Sequence, residues 1–323
     1  MGEKKLLINE LFQKQWQEWP LAAANYADLQ QALQKEFLFE GFEVKVQFNP
    51  GRIRSSMAPV DSHAMLQRPC FLCAENRPAE QQALDYQSYH ILVNPYPIFP
   101  RHLTIASQQH LPQLIENRMN DLLDLAQILP EYVIVYNGPE CGASAPFHFH
   151  FQAGNKGFLP IEKDVHSFAG KIQLKSAAEG RVFYMEHYLR KCFVYESESE
   201  KWLVEQLNCL VEGLQRIQPA KKEPMFNLIC WKEETVWQWV VFPRRRHRPR
   251  QYDETGDRQI LLAPGVVDFG GVWIVPRKSD YDKIDKALLI DMYSQLTLSD
   301  EATQDICRYI IGQGSTNTTQ SGQ

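Results

Sequence analysis

The sequence lacks any apolar run that approaches the roughly 20 residues a membrane-spanning helix requires, so we expect no membrane span. The first 19 residues also lack a long apolar core and a small-residue cleavage site, and their pattern predicts an amphipathic helix rather than a signal peptide. Seven cysteines, an odd number, are scattered without the rhythm of a disulfide framework. These absences together favour a cytoplasmic protein.

Basic residues are too few for a general nucleic-acid surface. Lysines and arginines number 34 against 39 aspartates and glutamates, for a formal net charge of −5. Because a non-specific nucleic-acid binder needs a broad positive field, we expect no nucleic-acid partner. Anionic ligands must then be bound by local clusters. The densest basic run, "PRRRHRPR" at 243–250, is interpreted as a clamp for substrate phosphates, as a contact between the two halves, or as a solvated turn after a strand.

The chain of 323 residues is long enough for two domains, each with its own core, or for one large domain. Helical spacing covers residues 5–38, 111–129, 197–217 and 281–311, and between these segments lie alternating or continuous apolar runs typical of strands. The order strand, turn, strand, helix, strand, loop, strand predicts an α+β fold, an antiparallel sheet with a helix across one face. The predicted divisions are an N-terminal helical segment at 1–39, a catalytic domain at 40–180, a second α+β domain at 181–312 and a disordered tail at 313–323.

The segment "FHFHFQ", 147–152, alternates phenylalanine with a polar residue. Side chains two residues apart on a strand share a face, so His148, His150 and Gln152 are predicted to line one face while the three phenylalanines pack on the other. The plain alternative is a half-buried strand with an arbitrary polar face. Such faces usually carry Lys, Glu, Thr or Ser, and two histidines and a glutamine behind a Gly/Ser loop favour a functional face.

The pair Cys70-x-x-Cys73 has the spacing of half a tetrahedral zinc site. Two cysteines so spaced also occur as buried apolar side chains or as a redox pair, and both alternatives stay open here. A redox pair usually opens a helix, whereas the surrounding "RPCFLCAENRP" is typical of a loop and favours metal. His110 and His148 would complete a structural Zn²⁺ site with no open coordination position.

His150 is then left free of metal on the same face. A neutral imidazole is nucleophilic near pH 7, and it needs an acceptor for its second nitrogen to fix the tautomer. The Gln152 amide can donate to a phosphate oxygen without exchanging a proton. Ser144 and the backbone amides of "CGASA" can form a small anion-binding nest beside them. These groups fit attack on a phosphate better than attack on a carbonyl.

With these motifs the chain resembles the branch of the histidine-triad (HIT) superfamily that contains galactose-1-phosphate uridylyltransferase, dinucleoside tetraphosphate phosphorylase and GDP-galactose phosphorylase, and a bacterial group within it. The resemblance rests on His-x-His-x-Gln at 148–152, Gly-Ala-Ser at 142–144, Cys-x-x-Cys at 70–73, "HLPQL" at 110–114 and the Asn-Pro segment in "VNPYPIFPRHLTIAS". It covers about residues 40–155 and implies a HIT-like sheet followed by a second HIT-like or related half.

The resemblance implies a role for each matching residue. His150 corresponds to the nucleophile that becomes nucleotidylated, and Gln152 to the glutamine that contacts the transferred phosphate. The metal ligands correspond to Cys70, Cys73, His110 and His148, with Zn²⁺ as a structural cofactor. The expected substrate or phosphate contacts are Ser144, Arg52, Arg54, Asn94 and His102. Ser144 stands one residue further from His148 than in the uridylyltransferase.

A glutamine at position 152 also indicates the type of reaction. Hydrolytic HIT proteins carry a histidine there, which can protonate a leaving group, whereas glutamine suits a leaving phosphate that needs no proton. We therefore expect a nucleotidyltransferase or phosphorylase that acts on a nucleoside diphosphate sugar or dinucleoside polyphosphate, with phosphate or a sugar phosphate as the second partner. The alternatives are a HIT-type nucleotide hydrolase and an inactive, zinc-stabilised nucleotide-binding module. A homodimer is compatible with the sequence.

Overall fold

The computed structural model describes residues 2–52 and 69–313. The chain begins with helices α1 (Gly2–Glu18) and α2 (Pro20–Gln30), followed by a hairpin of strands β1 (Leu33–Phe39) and β2 (Phe42–Phe48). The helical prediction for residues 5–38 is therefore wrong in its last part. Side chains of β1 alternate between exposed and half-buried, and β1 pairs antiparallel with β2. The spacing of apolar residues along the sequence does not reveal this pairing.

The first half of the main sheet holds five strands in the spatial order β3-β4-β5-β7-β6. Helix α3 (Met119–Ile128) connects β5 to β6 and packs on one face of the sheet. This helix begins eight residues later than the sequence predicted, and residues 111–118 form a loop. The strands are β3 (Ala83–Tyr86), β4 (Tyr89–Val93), β5 (His102–Ser107), β6 (Tyr132–Asn137) and β7 (His150–Asn155).

The second half repeats this plan. After helix α4 (Pro160–Ser167), five further strands take the order β8-β9-β10-β12-β11, with helix α5 (Glu200–Ile217) between β10 and β11. Strands β6 and β11 pair antiparallel, with Asn137 opposite Asn227, and join the halves into one ten-stranded antiparallel sheet. The strands are β8 (Lys171–Ser176), β9 (Gly180–Met185), β10 (Phe193–Ser197), β11 (Phe226–Glu233) and β12 (Val236–Pro243). The predicted α+β fold with a HIT-like second half is confirmed.

The C-terminal part adds a short helix α6 (Val266–Phe269), strand β13 (Val272–Val275) and helices α7 (Lys278–Lys283), α8 (Lys286–Leu296) and α9 (Asp300–Gly312). Strand β13 pairs parallel with β2 and completes a three-stranded sheet with β1. The single helix predicted at 281–311 is three segments, because the side chains of Asp285 and Ser299 accept backbone N–H groups and start new helices. The tail beyond Gln313 lies outside the described residues.

Both faces of the main sheet carry apolar cores. One face packs against α3, α5 and α9, and the other against the small sheet and the segments from α4 to α8. On the second face, beside β7, the cover is incomplete and leaves a cleft of about 670 Å³. Among the described helices, none combines the length and apolarity needed to cross a membrane.

Candidate active site

The histidine motif stands where strand β7 begins. The strand starts at His150, three residues later than predicted, and His148 lies in the preceding turn, where its N–H donates to the Ala145 carbonyl (3.1 Å). Phe149 and Phe151 are buried against the helices, as the alternation predicted. Phe147 is exposed instead and lines the cleft, because it precedes the strand and its ladder. His148, His150 and Gln152 do share one side, since all three line the cleft.

The predicted metal ligands are close together. The ligand atoms of Cys70, Cys73, His110 and His148 all lie within 4.8 Å of one another. The Cys70 Sγ is 3.3 Å from the His148 Nδ1, and the Cys73 Sγ is 3.1 Å from the His110 Nδ1 and 3.5 Å from the His148 Nδ1. Two ligands of one tetrahedral zinc ion, at Zn–S of about 2.3 Å and Zn–N of about 2.0 Å, stand roughly 3.5 Å apart. The cluster therefore has the spacing and donor set of a metal site.

A second hydrogen bond fixes the tautomer that a metal at this cluster requires. The His148 Nε2–H donates to the Ser107 carbonyl (2.8 Å), so the Nδ1 lone pair faces the two thiols. Metal-binding histidines usually carry such an outer partner, which orients the ring. A bound ion would tie the Cys70 turn to the turn before β7, and four protein ligands would leave it no open position.

One ring nitrogen of His150 makes a hydrogen bond, and the other is available for reaction. Its Nδ1–H donates to the His148 carbonyl (2.9 Å), which leaves the lone pair on Nε2. The side chain is 3 % exposed, and burial lowers its pKa to about 4. The imidazole is consequently neutral near pH 7, the form in which a histidine can act as a nucleophile.

The backbone of His150 is fixed by Gln113, a residue without a role in the sequence interpretation. The Gln113 Oε1 accepts the His150 N–H (2.8 Å), and its Nε2 donates to the carbonyls of His150 (2.9 Å) and Asn137 (3.0 Å). The β6–β7 ladder ends at Val135 and Gln152. The buried amide of Gln113 thus replaces the missing rung between Asn137 and His150. The signal was present in "HLPQL", but residues 111–118 were predicted as helix.

Gln152 is oriented by His102. The Ile98 N–H donates to the His102 Nδ1 (3.1 Å), so the opposite nitrogen carries the proton and donates to the Gln152 Oε1 (2.8 Å). With its oxygen so engaged, Gln152 presents its NH₂ group to the cleft. His102 was predicted as a substrate contact. The structure places it fully buried behind Gln152, and it is Thr104, the next residue of that strand face, that lines the cleft.

The loop before β7 offers a row of donors. Within the described part of the chain, the backbone amides of residues 142–145 donate to no protein group. Ser144 is exposed and lines the cleft, as does Asn94, whose side chain bonds the Thr104 Oγ1 (3.0 Å) and the Tyr96 N–H (2.9 Å). Successive amides of this kind form anion-binding concavities. Of the predicted arginines, Arg52 ends a 3-10 turn (Pro50–Arg52) and Arg54 lies outside the described residues.

The cleft also draws on parts of the chain outside the motif region. Trp19 and Leu21 line it from the N-terminal helices. The second half contributes His247 and Arg248, and the segment at 263–268, which includes the start of α6, closes the remaining side. One interpretation of the basic run from the sequence was a clamp for substrate phosphates, but the sequence gave no signal for the N-terminal contribution.

The arginines of the basic run have separate roles. Arg245 donates to carbonyls of Ser294 and Gln295, and Arg250 forms an ion pair with Asp291 (2.8 Å). Arg244 donates to the Asn227 Oδ1 on β11 and to the Pro264 carbonyl, and Arg248 lines the cleft. Most of these arginines therefore support the fold and one lines the cleft, while the clamp for substrate phosphates stays a prediction.

Comparison with known families supports the resemblance seen in the sequence. Residues 11–155 match the model of a family described as a domain of unknown function (DUF4922), and residues 167–317 match a model described as the GDPGP1-like, C-terminal domain. No curated protein matches the chain. The second half of the chain thus matches a GDPGP1-like family domain, and the chain shares its fold with a yeast Ap4A phosphorylase.

Three solved structures are similar to this chain, and the two with a TM-score of 0.57 show the shared fold. The yeast Ap4A phosphorylase Apa2 in complex with Ap4A is 15% identical, and the match covers 90% of this chain and 97% of that chain with a TM-score of 0.57. The same enzyme in complex with AMP is 16% identical, with coverage of 88% and 97% and a TM-score of 0.57. An Arabidopsis thaliana ADP-glucose phosphorylase with bound ADP-glucose is 12% identical, with coverage of 78% and 100% and a TM-score of 0.36.

Proposed function

We propose that the protein is a nucleotidyltransferase or phosphorylase that acts on a dinucleoside polyphosphate or a nucleoside diphosphate sugar. The observation that carries the proposal is the ring of His150, whose Nδ1–H is bonded to the His148 carbonyl while its Nε2 stays available in the cleft. In the first step Nε2 attacks the α-phosphorus, and a phosphorus–nitrogen bond forms as the bond to the bridging oxygen breaks. The leaving phosphate keeps the electron pair and needs no proton.

The surrounding donors suit the charge that develops on the transferred group. The NH₂ group of Gln152, fixed by His102, can donate to one non-bridging oxygen, and the amides of residues 142–145 can donate to another. Donors that are held in place before the reaction stabilise a transition state without a cost of reorganisation. The carbonyl that binds Nδ1–H also stabilises the positive charge that the ring acquires on phosphorylation.

Glutamine at position 152 favours transfer over hydrolysis. In the second step a phosphate oxygen attacks the same phosphorus, the phosphorus–nitrogen bond breaks, and its electron pair returns to Nε2. Phosphate brings an oxygen that is already ionised near pH 7, whereas water needs a base to remove its proton. Neither Gln152 nor the neutral His102 that orients it is placed as such a base. The yeast protein that shares this fold is an Ap4A phosphorylase, an enzyme whose acceptor is phosphate.

The metal cluster has a structural role in this proposal. Cys70, Cys73, His110 and His148 would hold Zn²⁺, which would fix the turn that carries the His148 carbonyl and with it the acceptor for His150. The ion would thus support the nucleophile without touching the reacting atoms.

Intact-mass analysis tests the nucleophile. The protein is incubated with a panel of dinucleoside polyphosphates and nucleoside diphosphate sugars, without phosphate. We expect one substrate class to add a single nucleoside monophosphate that is lost in acid, absent in His150→Ala and retained in His166→Ala, a control at an exposed histidine of α4. Absence of both adduct and turnover across the panel contradicts the proposal. An adduct that yields only nucleoside monophosphate after phosphate addition identifies a hydrolase.

A further inference from the structure

The cleft has few positively charged side chains. Among the described residues that line it, Arg248 is the one side chain with a permanent positive charge, and it comes from the second half of the chain. Its guanidinium carbon lies 3.9 Å from the centre of the Tyr252 ring, and the residue is half-buried. His247, adjacent in sequence, lines the same wall of the cleft.

The loop that carries this arginine is anchored from beneath. Arg244 is fully buried, and its Nη2 donates to the carbonyls of Arg246 (3.1 Å) and His247 (3.0 Å). Its Nη1 donates to the Asn227 Oδ1 (2.6 Å) and the Pro264 carbonyl (3.2 Å). The guanidinium therefore ties the basic loop to β11 and to the segment at 263–268.

A shared network extends this anchor to the motif half. The Asn227 Nδ2 donates to the Asn137 Oδ1 (2.7 Å) and to the Cys141 carbonyl (2.7 Å), and the same Asn137 oxygen accepts the Val266 N–H (2.8 Å). Asn137 is also the residue that Gln113 links to His150. The loop that carries Arg248 is thus connected to the nucleophile by a continuous set of buried hydrogen bonds.

The geometry of the reaction requires the leaving group and the acceptor to occupy the same position. Displacement at phosphorus proceeds in line, so the leaving oxygen departs opposite the His150 Nε2, and the oxygen that later breaks the phosphorus–nitrogen bond must enter from that same position. The phosphate next to the transferred group and the incoming phosphate therefore occupy one subsite. This subsite needs a cation, since two phosphates repel each other.

We propose that Arg248, with His247 beside it, forms the acceptor-phosphate subsite, so that the second half decides between phosphate and water as the group that resolves the nucleotidyl-enzyme. The proposal rests on the proposed function. Inorganic phosphate binds there through charge-assisted hydrogen bonds from the guanidinium, and one of its oxygens attacks the phosphorus as the bond to Nε2 breaks.

Two measurements on the full-length protein test the subsite. The first is calorimetric binding of inorganic phosphate to the unmodified protein. The second is resolution of the isolated nucleotidyl-enzyme at increasing phosphate concentration, with products separated as nucleoside monophosphate and diphosphate. The variants are Arg248→Ala, Arg248→Lys and, as the matched control, Arg246→Ala, whose side chain is exposed on the same loop. Thermal unfolding of each variant confirms that it is folded.

In Arg248→Ala we expect the phosphate concentration for half-maximal resolution to rise about 10- to 100-fold, as for the loss of a hydrogen bond to a charged group. The product should shift toward nucleoside monophosphate, Arg248→Lys should lie between, and Arg246→Ala should match the wild type. Equal phosphate binding, or an unchanged phosphate dependence and product ratio in Arg248→Ala, overturns the subsite. Failure of the proposed function is distinguished by the absence of any adduct in the wild type before phosphate is added.

Discussion

Glu223 is a buried carboxyl at the seam between the two halves, and it gives a stability prediction that does not depend on the proposed function. One carboxyl oxygen accepts the Ile115 N–H (2.7 Å), and the other lies 2.7 Å from the Tyr136 hydroxyl. That hydroxyl is in turn 3.2 Å from the Gln113 carbonyl. Burial raises the pKa of Glu223 to about 7. In the protonated state the carboxyl donates to Tyr136, and Tyr136 donates to Gln113.

The sign of the pH effect follows from linkage. The folded state holds this proton more tightly than the unfolded chain, where a glutamate titrates near 4.5. The stabilisation by protonated Glu223 is therefore complete below pH 4.5 and is lost as the pH rises through about 7. A rise in pKa from 4.5 to about 7 corresponds to about 3 kcal/mol. Substitution Glu223→Gln keeps the protonated pattern at all pH values, since an amide donates to Tyr136 and accepts from Ile115.

Urea unfolding at pH 5.5 and pH 8.5 measures the effect. We expect Glu223→Gln to gain about 2 kcal/mol relative to the wild type between the lower and the higher pH, because about 1 kcal/mol of the effect is already lost at pH 5.5, one unit above the unfolded pKa. The matched control is Glu10→Gln, at an exposed glutamate of α1, which should follow the wild type at both pH values. The reasoning is refuted if wild type and Glu223→Gln lose stability equally between the two pH values.

Three further predictions concern the site itself. Gln113→Leu leaves three buried backbone groups around His150 unpaired. It should lower the free energy of unfolding in urea by roughly 3 kcal/mol or more, with a parallel loss of adduct yield. Unchanged stability would contradict the role of Gln113 in place of a strand hydrogen bond. Gly142→Ala adds a Cβ 2.8 Å from backbone of the second half at a φ of +94°, so it should destabilise more than Gly157→Ala, which has a φ of +79° but nothing within 4 Å. Cys73→Ser should lower the bound zinc measured by mass spectrometry of metals, and full retention would exclude this residue as a ligand.

The parts of the site that the sequence predicted are those fixed by local spacing. Alternation at 149–152 correctly separated the buried phenylalanines from the polar face, because a strand imposes a period of two on its side chains. The Cys-x-x-Cys turn and two histidines were correctly grouped, because metal binding requires a limited set of ligands at short distances. His102 was expected as a substrate contact, and the structure buries it instead. Its burial behind Gln152 depends on the pairing of β5 with β7, which spacing does not reveal.

The contribution of the second half could not be predicted in the same way. Arg248 stands almost a hundred residues after the histidine motif, and only the antiparallel pairing of β6 with β11 brings the two regions to one seam. The sequence shows a basic run, but the run itself does not indicate which arginine is buried, which forms an ion pair and which reaches the cleft. Those roles follow from the positions of Asn227 and Asp291, which lie on other elements.

The repeated plan of the two halves explains why the described residues form one cleft of this kind rather than two. Strand β12 occupies the position in the second half that β7 occupies in the first. On the face where β7 carries His150 and Gln152, β12 carries Val240 and Phe242, which are fully buried against the C-terminal segments, with the Phe242 ring 5.6 Å from that of Phe269. Covering this face removes the room for a second ligand. It also places the segment at 263–268 and the basic loop against the open face of the first half, so the segments that close one potential site complete the other.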